Sequence, residues 1–436
     1  MSPGPTLRRA VSRWQITGIA VNGVVGSGVY LLPAAAAALL GFASLWAVLV
    51  AGLAVTLLVL CFAEASSHFD QPGSAYVYTR EAFGGFVGFE VGWMMFLTKI
   101  ATMAALTNGL VQAIGFFSPG TGTGATRLAL IAAVFAFITG INLVGVRGAA
   151  RITAGFAVVK VVPLLILVVV GLFSIDFSRI SFAPATGSSD LGQAALLLLF
   201  AYAGFENAAA AAGEYRDPRR DVPFALVTMI LGVTALYFLI QLVALAVLPD
   251  LAAHAGGAPL AAAAEVLMGG WGGVLLTVGA VVSILGTIVN MAFNGPRYLF
   301  ALAEDGYGPR ALTSVHPRWR TPHVAILAQV SIAFLLAVSG TFIQLALLSM
   351  ITRLSTYVGT AAAVPILRRR LPRTGPTIRL PGGPLIPIAA LALCGVFLVS
   401  TTAANLVAGA VALVAGVPIY LLRREPTFDS AVIPAR

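Results

Sequence analysis

The chain has 436 residues, of which 59% are hydrophobic and 10% charged, with a net charge of +10. Soluble domains carry about 25% charged residues, so the composition excludes an ordinary soluble protein and indicates a polytopic membrane protein. The positive charge sits on loop arginines rather than on a basic face, so no nucleic-acid partner is inferred. Cys61 and Cys394 lie far apart in apolar runs and imply neither a disulfide framework nor a metal cluster.

Apolar runs of about 20 residues, the length that crosses a hydrocarbon core, predict an all-α integral membrane protein with twelve transmembrane helices. All of 1–436 is read as one transmembrane domain. The runs centre on Ala20–Ala36, Leu45–Phe62, Phe86–Ile114, Leu128–Val144, Phe156–Phe173, Leu191–Gly213, Val222–Leu248, Leu260–Leu302, Val324–Val338, Phe342–Leu367, Leu385–Val399 and Leu406–Leu422. A short basic head (Arg8, Arg9, Arg13) leads straight into the first, so no cleavable signal peptide is expected. That first run is interrupted by Gly23 and by Gly26, Ser27 and Gly28, then resumes from Val29 to Pro33. Glycine costs a helix about 1 kcal/mol relative to alanine, so an unwound stretch is expected. In a bilayer, backbone groups released in this way are tolerated where they line a polar cavity. The resumed helix would aim free N–H groups and its positive end at an anion. Close packing of small residues against another helix is the competing reading.

The third and eighth runs exceed the length a bilayer needs, which indicates tilt or an appended interfacial piece. The fifth carries Lys160, three residues before Pro163. The sixth, LLLLFAYAGFENAAAAAGEY, is broken in turn by Gly204 and Glu206, and the following GEYRDPRRDVP reads as a surface loop. Interrupted spans at corresponding positions of two halves point to a transporter site. Spans one to five (about 14–174) and six to ten (about 190–370) are therefore read as inverted repeats, with eleven and twelve (about 384–423) added. Nearly every arginine, from Arg8 to Arg436, falls on the side of the N-terminus, and only Arg127 and Arg179 fall opposite. By the positive-inside rule both termini are cytoplasmic.

Four segments carry a resemblance: GVVGSGVYLLP, DQPGSAYVYTREAFG, FAYAGFENAAAAAGEYRDPRRDVP and NGPRYLFALAEDGYGPRALTSVHPRWRTP. Together, and in this order over nearly the whole chain, they resemble the amino acid–polyamine–organocation (APC) permeases. The resemblance implies a LeuT-like 5+5 inverted repeat with broken helices 1 and 6, and secondary transport of amino acids or related amines. It places the substrate carboxylate at Gly26, Ser27 and Gly28, and the substrate amine at carbonyls about Val24 and Ala203. It also implies an aromatic gate at Phe200, with Tyr202 as a second candidate.

Ionisable groups inside a membrane need a reason, since each costs about 2.5–3.5 kcal/mol on insertion scales. Lys160 is read as a coupling group. Similar sodium-independent permeases carry a lysine in this context, where its ammonium stands in for a bound cation. A structural tie to first-helix carbonyls is the alternative. Glu206 either caps the new half-helix or carries a proton that reports occupancy. Lys99 and Arg353 are expected to face the bundle interior in structural roles, with Glu206 or carbonyls as partners. Glu64 and Glu90 are read as interface charges near Arg80 and the other loop arginines, with gate salt bridges as the alternative. His68, His254, His316 and His323 show no metal-ligand spacing, and no GxxxxGK[ST] loop or cofactor motif is present.

The resulting reading is an inner (plasma) membrane carrier for an amino acid, coupled to protons or working by exchange. Met103, Met291 and Ser355 are expected to complete a largely apolar pocket, which favours a small or apolar neutral substrate. A cationic amino acid or polyamine exchanger is the alternative, with a sodium symporter or a channel behind it. An enzyme is not expected, because no nucleophile–base pair is evident.

Overall fold

A computed structural model describes residues 12–69, 75–144, 149–175, 188–206, 218–371 and 378–423. The second half of the expected sixth span, beyond Glu206, and the GEYRD segment that follows it lie outside the described residues. So do the chain ends and several of the loop arginines used for orientation. Among the described residues the secondary structure is helical, without strands.

The first expected span is two helices, α1 (Arg13–Val24) and α2 (Ser27–Leu40), separated at Val25 and Gly26. A turn at Gly41, which adopts φ +55°, reverses the chain into α3 (Ser44–Ser67). A short α4 (Ala75–Phe83) precedes α5 (Gly85–Ile114), then α6 (Gly124–Val144) and α7 (Ala149–Ser174) follow. The sixth expected span enters as α8 (Ser188–Leu199) and tightens to a 3₁₀ turn over Phe200–Tyr202. After α9 (Pro218–Val247), the long eighth run divides into α10 (Pro259–Met268) and α11 (Gly270–Glu304). The divide is Gly269, at φ +74°, so the extra length is an appended helix rather than a single tilted one. Last come α12 (His323–Ser339), α13 (Phe342–Arg370), α14 (Leu385–Ser400) and α15 (Ala403–Leu421).

Among the described residues, seven helical stretches are long and apolar enough to cross a membrane. One of them, Ser27–Ser67, is α2 and α3 joined through Gly41, and five shorter apolar helices lie among the seven. Contacts at the ends show how the helices alternate. At one end Trp14 of α1 meets Phe224 of α9, with ring centroids 5.3 Å apart. At the same end Thr321, before α12, donates to the Leu143 carbonyl of α6 (2.9 Å), and Glu64 of α3 binds Arg368 of α13. The opposite end gathers the close of α5, the start of α6 and the α12–α13 turn around a cleft of about 700 Å3. There the Arg127 guanidinium donates to the Ala337, Val338 and Gly340 carbonyls at 3.0, 3.3 and 2.7 Å, and to Asn108 Oδ1 at 2.8 Å. It thereby closes the C-terminus of α12, whose last carbonyls lack helical partners.

Candidate functional site

Ending α1 at Val24 frees the carbonyls of its last turn, because the N–H groups that would serve them lie beyond the break. Each meets a group from elsewhere in the chain. Lys160 Nζ donates to Asn22 O (3.4 Å) and Ser283 Oγ to Val25 O (3.4 Å), and Tyr237 Oη lies 3.4 Å from Val24 O. The Gly23 carbonyl faces Gly204, whose φ of +120° and absent side chain allow the approach; a Cβ there would collide with Gly23 O. The single Tyr237 proton goes to the nearer Ala201 carbonyl at 2.9 Å, with Val24 O as the longer contact, so one phenol touches both interrupted helices. Tyr30 Oη donates to the Lys160 carbonyl at 2.5 Å and fixes α7 beside α2.

The other side of the break is a buried helix N-terminus. Gly26, the N-cap, has no side chain to offer the first amides of α2. Ser27 Oγ is buried and has no hydrogen-bond partner among the described residues; Asn22 Oδ1 is in the same condition nearby. Orphan amides, an idle hydroxyl and the helix dipole together make an anion-binding surface. Gly26 has room around it, since a Cβ would meet nothing closer than Thr287 Oγ1 at 3.7 Å. Gly28 has none: a Cβ would sit 2.5 Å from Ala201 Cα. For Gly28 the close-packing reading is therefore right, whatever its amide also binds.

In the sixth span, Ala203 is extended and its N–H turns back to Phe200 O (3.2 Å). Phe200 packs edge-on against Phe342, centroids 5.9 Å apart, and Phe342 lines the end cleft. Phe200 thus stands between that cleft and the breaks. Tyr202 points elsewhere: its hydroxyl donates to Val48 O of α3 (3.3 Å) and its ring tilts against Tyr237.

Glu206 is held three ways. Its carboxylate accepts from Gly204 N–H at 3.0 Å, forms a buried ion pair with Arg353, and lies in the field of Lys99. Arg353 extends the cluster to Thr102 Oγ1 (3.3 Å), and Lys99 lies 5.8 Å from the Tyr298 ring centroid. The ion pair with Arg353 is the Glu206 partner expected from the sequence, while the half-helix that Glu206 would cap lies outside the described residues.

Met103 and Met291 are both buried. They meet at Gln329, whose Nε2 donates to Met291 O at 3.2 Å and lies 3.7 Å from Met103 Sδ. Ser355 stands two residues beyond Arg353, about 200° round the helix, and so points away from the Glu206 cluster. Lys160 reaches Asn22 rather than the carbonyls of Val24 and Val25, which Tyr237 and Ser283 already serve.

At the arginine-rich end, Glu64 is more than an interface charge. Fully buried, it accepts from Arg368 (2.6 Å at one oxygen) and from Leu380 N–H (3.0 Å), while Arg368 also donates to Gly383 O (2.5 Å). Nearby, Tyr76 donates to Asp305 at 2.7 Å with Arg80 alongside. Burial first, then that hydrogen bond, raises the Tyr76 phenol above its ordinary range, so it remains a donor. No group of metal-ligating side chains is found among the described residues.

Comparison with known proteins bears on what this arrangement does. The family described as amino acid permease matches residues 11–422. The chain is 31% identical over 415 residues to the serine/threonine exchanger SteT of Bacillus subtilis, covering 92% of this chain and 94% of that protein. It is 26% identical over 434 residues to the branched-chain amino acid permease BcaP of the same organism (96% and 93% covered). Cationic amino acid transporter 4 of Mus musculus is 28% identical over 402 residues, covering 86% of this chain and 63% of that protein.

Proposed function

We infer that this chain, which belongs to the amino acid permease family, is a secondary transporter that carries a small or apolar neutral amino acid by alternating access. The family and its relatives are transporters, and amino acid transport across a membrane follows from them. The finer reading has twelve spans in a LeuT-like 5+5 arrangement, both termini cytoplasmic, in the plasma membrane. The alternating helix ends and the positive end around Arg368–Arg370 support it.

One observation carries the site: the uncapped N-terminus of α2, with Ser27 Oγ unpartnered, lies across from carbonyls of both interrupted helices. A zwitterion fits that polarity, with its carboxylate on the amides and its ammonium among the carbonyls of Val24 and Ala203. The neutral side chain follows from Glu206. Its charge is already met by Arg353 and Lys99, so among the described residues no carboxylate of the site remains to receive a cationic side chain. The relatives named for serine, threonine and branched-chain amino acids agree with this; the cationic transporter of mouse favours the alternative. Exchange is the coupling mode carried in the name of the first relative. Proton coupling through Lys160 rests on its buried contact with Asn22.

Thermal shift of the purified protein against the twenty amino acids tests this, since a ligand of the folded state stabilises it. Neutral amino acids should raise the midpoint and their carboxamides should not. Equal stabilisation by a carboxamide would remove the carboxylate from the α2 terminus, and stabilisation by arginine alone would overturn the neutral class.

A further inference from the structure

The apolar helix α11 carries a polar row that the site above uses only at its upper end: Ser283, Thr287, Asn290, Asn294 and Arg297. With each residue turning the helix by about 100°, these five fall within one narrow strip. Val274 and Val278, 45% and 46% exposed, define the opposite strip with the partly buried Val281 and Leu285. The valine strip is the lipid-facing one by its composition, so the polar strip faces the protein interior. Exposure along it is graded. Ser283 is fully buried against Val25 O, Thr287 lies beside Gly26, and Asn290 and Arg297 are exposed. An exposed asparagine on the inward face of an apolar helix lines water, not lipid. The neighbouring stretch of α1 is open too: Gly18 is exposed and a Cβ there would touch nothing within 4 Å.

We propose that this strip lines the passage between the broken helices and the arginine-rich end, and that Arg297 is an anion subsite on it that receives the substrate carboxylate on its way out. The inference rests on the amino acid reading above. From Ser283 to Arg297 the strip runs about 21 Å at 1.5 Å per residue. Asparagine side chains offer donors and acceptors along the way without holding a charge. Arg297 is preset for the task. Its guanidinium stacks on the Phe293 ring, 3.3 Å from the centroid, and donates to the Phe293 carbonyl. Among the described residues no carboxylate is in ion-pair contact with it, and Asp305, the residue that caps the end of α11, is taken by Tyr76 and Arg80. A guanidinium anchored through one nitrogen keeps its other N–H groups for a carboxylate.

The test uses single cysteines at Asn290, Asn294 and Val278 in a protein with Cys61→Ala and Cys394→Ala, reconstituted in vesicles. Membrane-impermeant thiol reagents, one anionic and one cationic, are added to either face. Asn290→Cys and Asn294→Cys should react from the arginine-rich face and Val278→Cys from neither. At Asn294→Cys the anionic reagent should be preferred, and Arg297→Gln should reduce that preference about tenfold while Arg297→Lys retains it. In sided uptake of L-serine and L-leucine, Arg297→Gln should raise KM about tenfold at the arginine-rich face and leave the other face unchanged. Unreactive cysteines at 290 and 294 overturn the passage, and an unchanged reagent preference in Arg297→Gln overturns the subsite. A wild type that carries neither amino acid would count against the transport reading, with the labelling still deciding the passage.

Discussion

Three charges meet between α5, the sixth-span break and α13, and their sum makes a sharp prediction. Lys99, Arg353 and Glu206 carry one net positive charge between them, in a site where the Arg353 side chain is 3% and that of Glu206 9% exposed. Glu206→Gln leaves two cations facing each other with their shared carboxylate removed. Arg353→Met leaves Lys99 with Glu206, one charge of each sign. Stripping a partner from a buried pair costs about 3–5 kcal/mol because the remaining charge is uncompensated. Glu206→Gln should therefore reach the upper part of that range, and Arg353→Met should fall well below it. The double variant returns to a single positive charge, so Arg353→Met should raise the thermal midpoint when introduced into Glu206→Gln. Midpoints of the four detergent-solubilised proteins, read from the surviving monodisperse fraction after heating, complete the cycle. If Arg353→Met lowers the midpoint further in the Glu206→Gln background, the three groups do not form one electrostatic unit.

The two glycines of the break should behave differently. Gly28→Ala forces a Cβ to within 2.5 Å of the Ala201 backbone, an overpacking cost of about 1–3 kcal/mol visible as a lower midpoint. Gly26→Ala should keep the midpoint and alter substrate affinity; loss of stability there instead would refute the room assigned to it. For Lys160, proteoliposome uptake across a pH gradient separates coupling from structure. Coupling predicts that Lys160→Ala loses pH-dependent uptake and that Lys160→Arg, which cannot deprotonate, locks. Partial rescue by arginine with the pH dependence intact would mark a structural tie.

The breaks were legible because glycine clusters in an otherwise apolar run have few other uses. What surrounds them was not. Neither Tyr237 nor Ser283 has a charge or a helix interruption beside it to single it out, yet they lie against the carbonyls of Val24 and Val25. That leaves Asn22 for Lys160. Gly28 could not be told from its neighbours, since its packing depends on Ala201, more than 170 residues away. The division of the eighth run did have a signal, the adjacent Gly269 and Gly270, outweighed by apolar length alone. The partner of Arg353 was open in the sequence between Glu206 and carbonyls. The one-sided tertiary placement of Lys99 beside the same carboxylate, however, follows only from how α5 and α13 pack.

The carbonyls released by α1 are all held at arm's length: 3.4 Å to Lys160, to Tyr237 and to Ser283. Bonds that long lie beyond the usual 2.7–3.2 Å range and are weak. Tyr237 has a single proton, already committed to Ala201 at 2.9 Å, so Val24 is the least well served. An arriving ammonium thus displaces poor contacts rather than good ones, and on departure the phenol, hydroxyl and lysine stand ready to take the carbonyls back. Such an arrangement sets a ceiling on grip. A cargo held by the difference between its own bonds and these stand-ins can be let go quickly, and for a carrier the speed of release limits how many molecules cross each second.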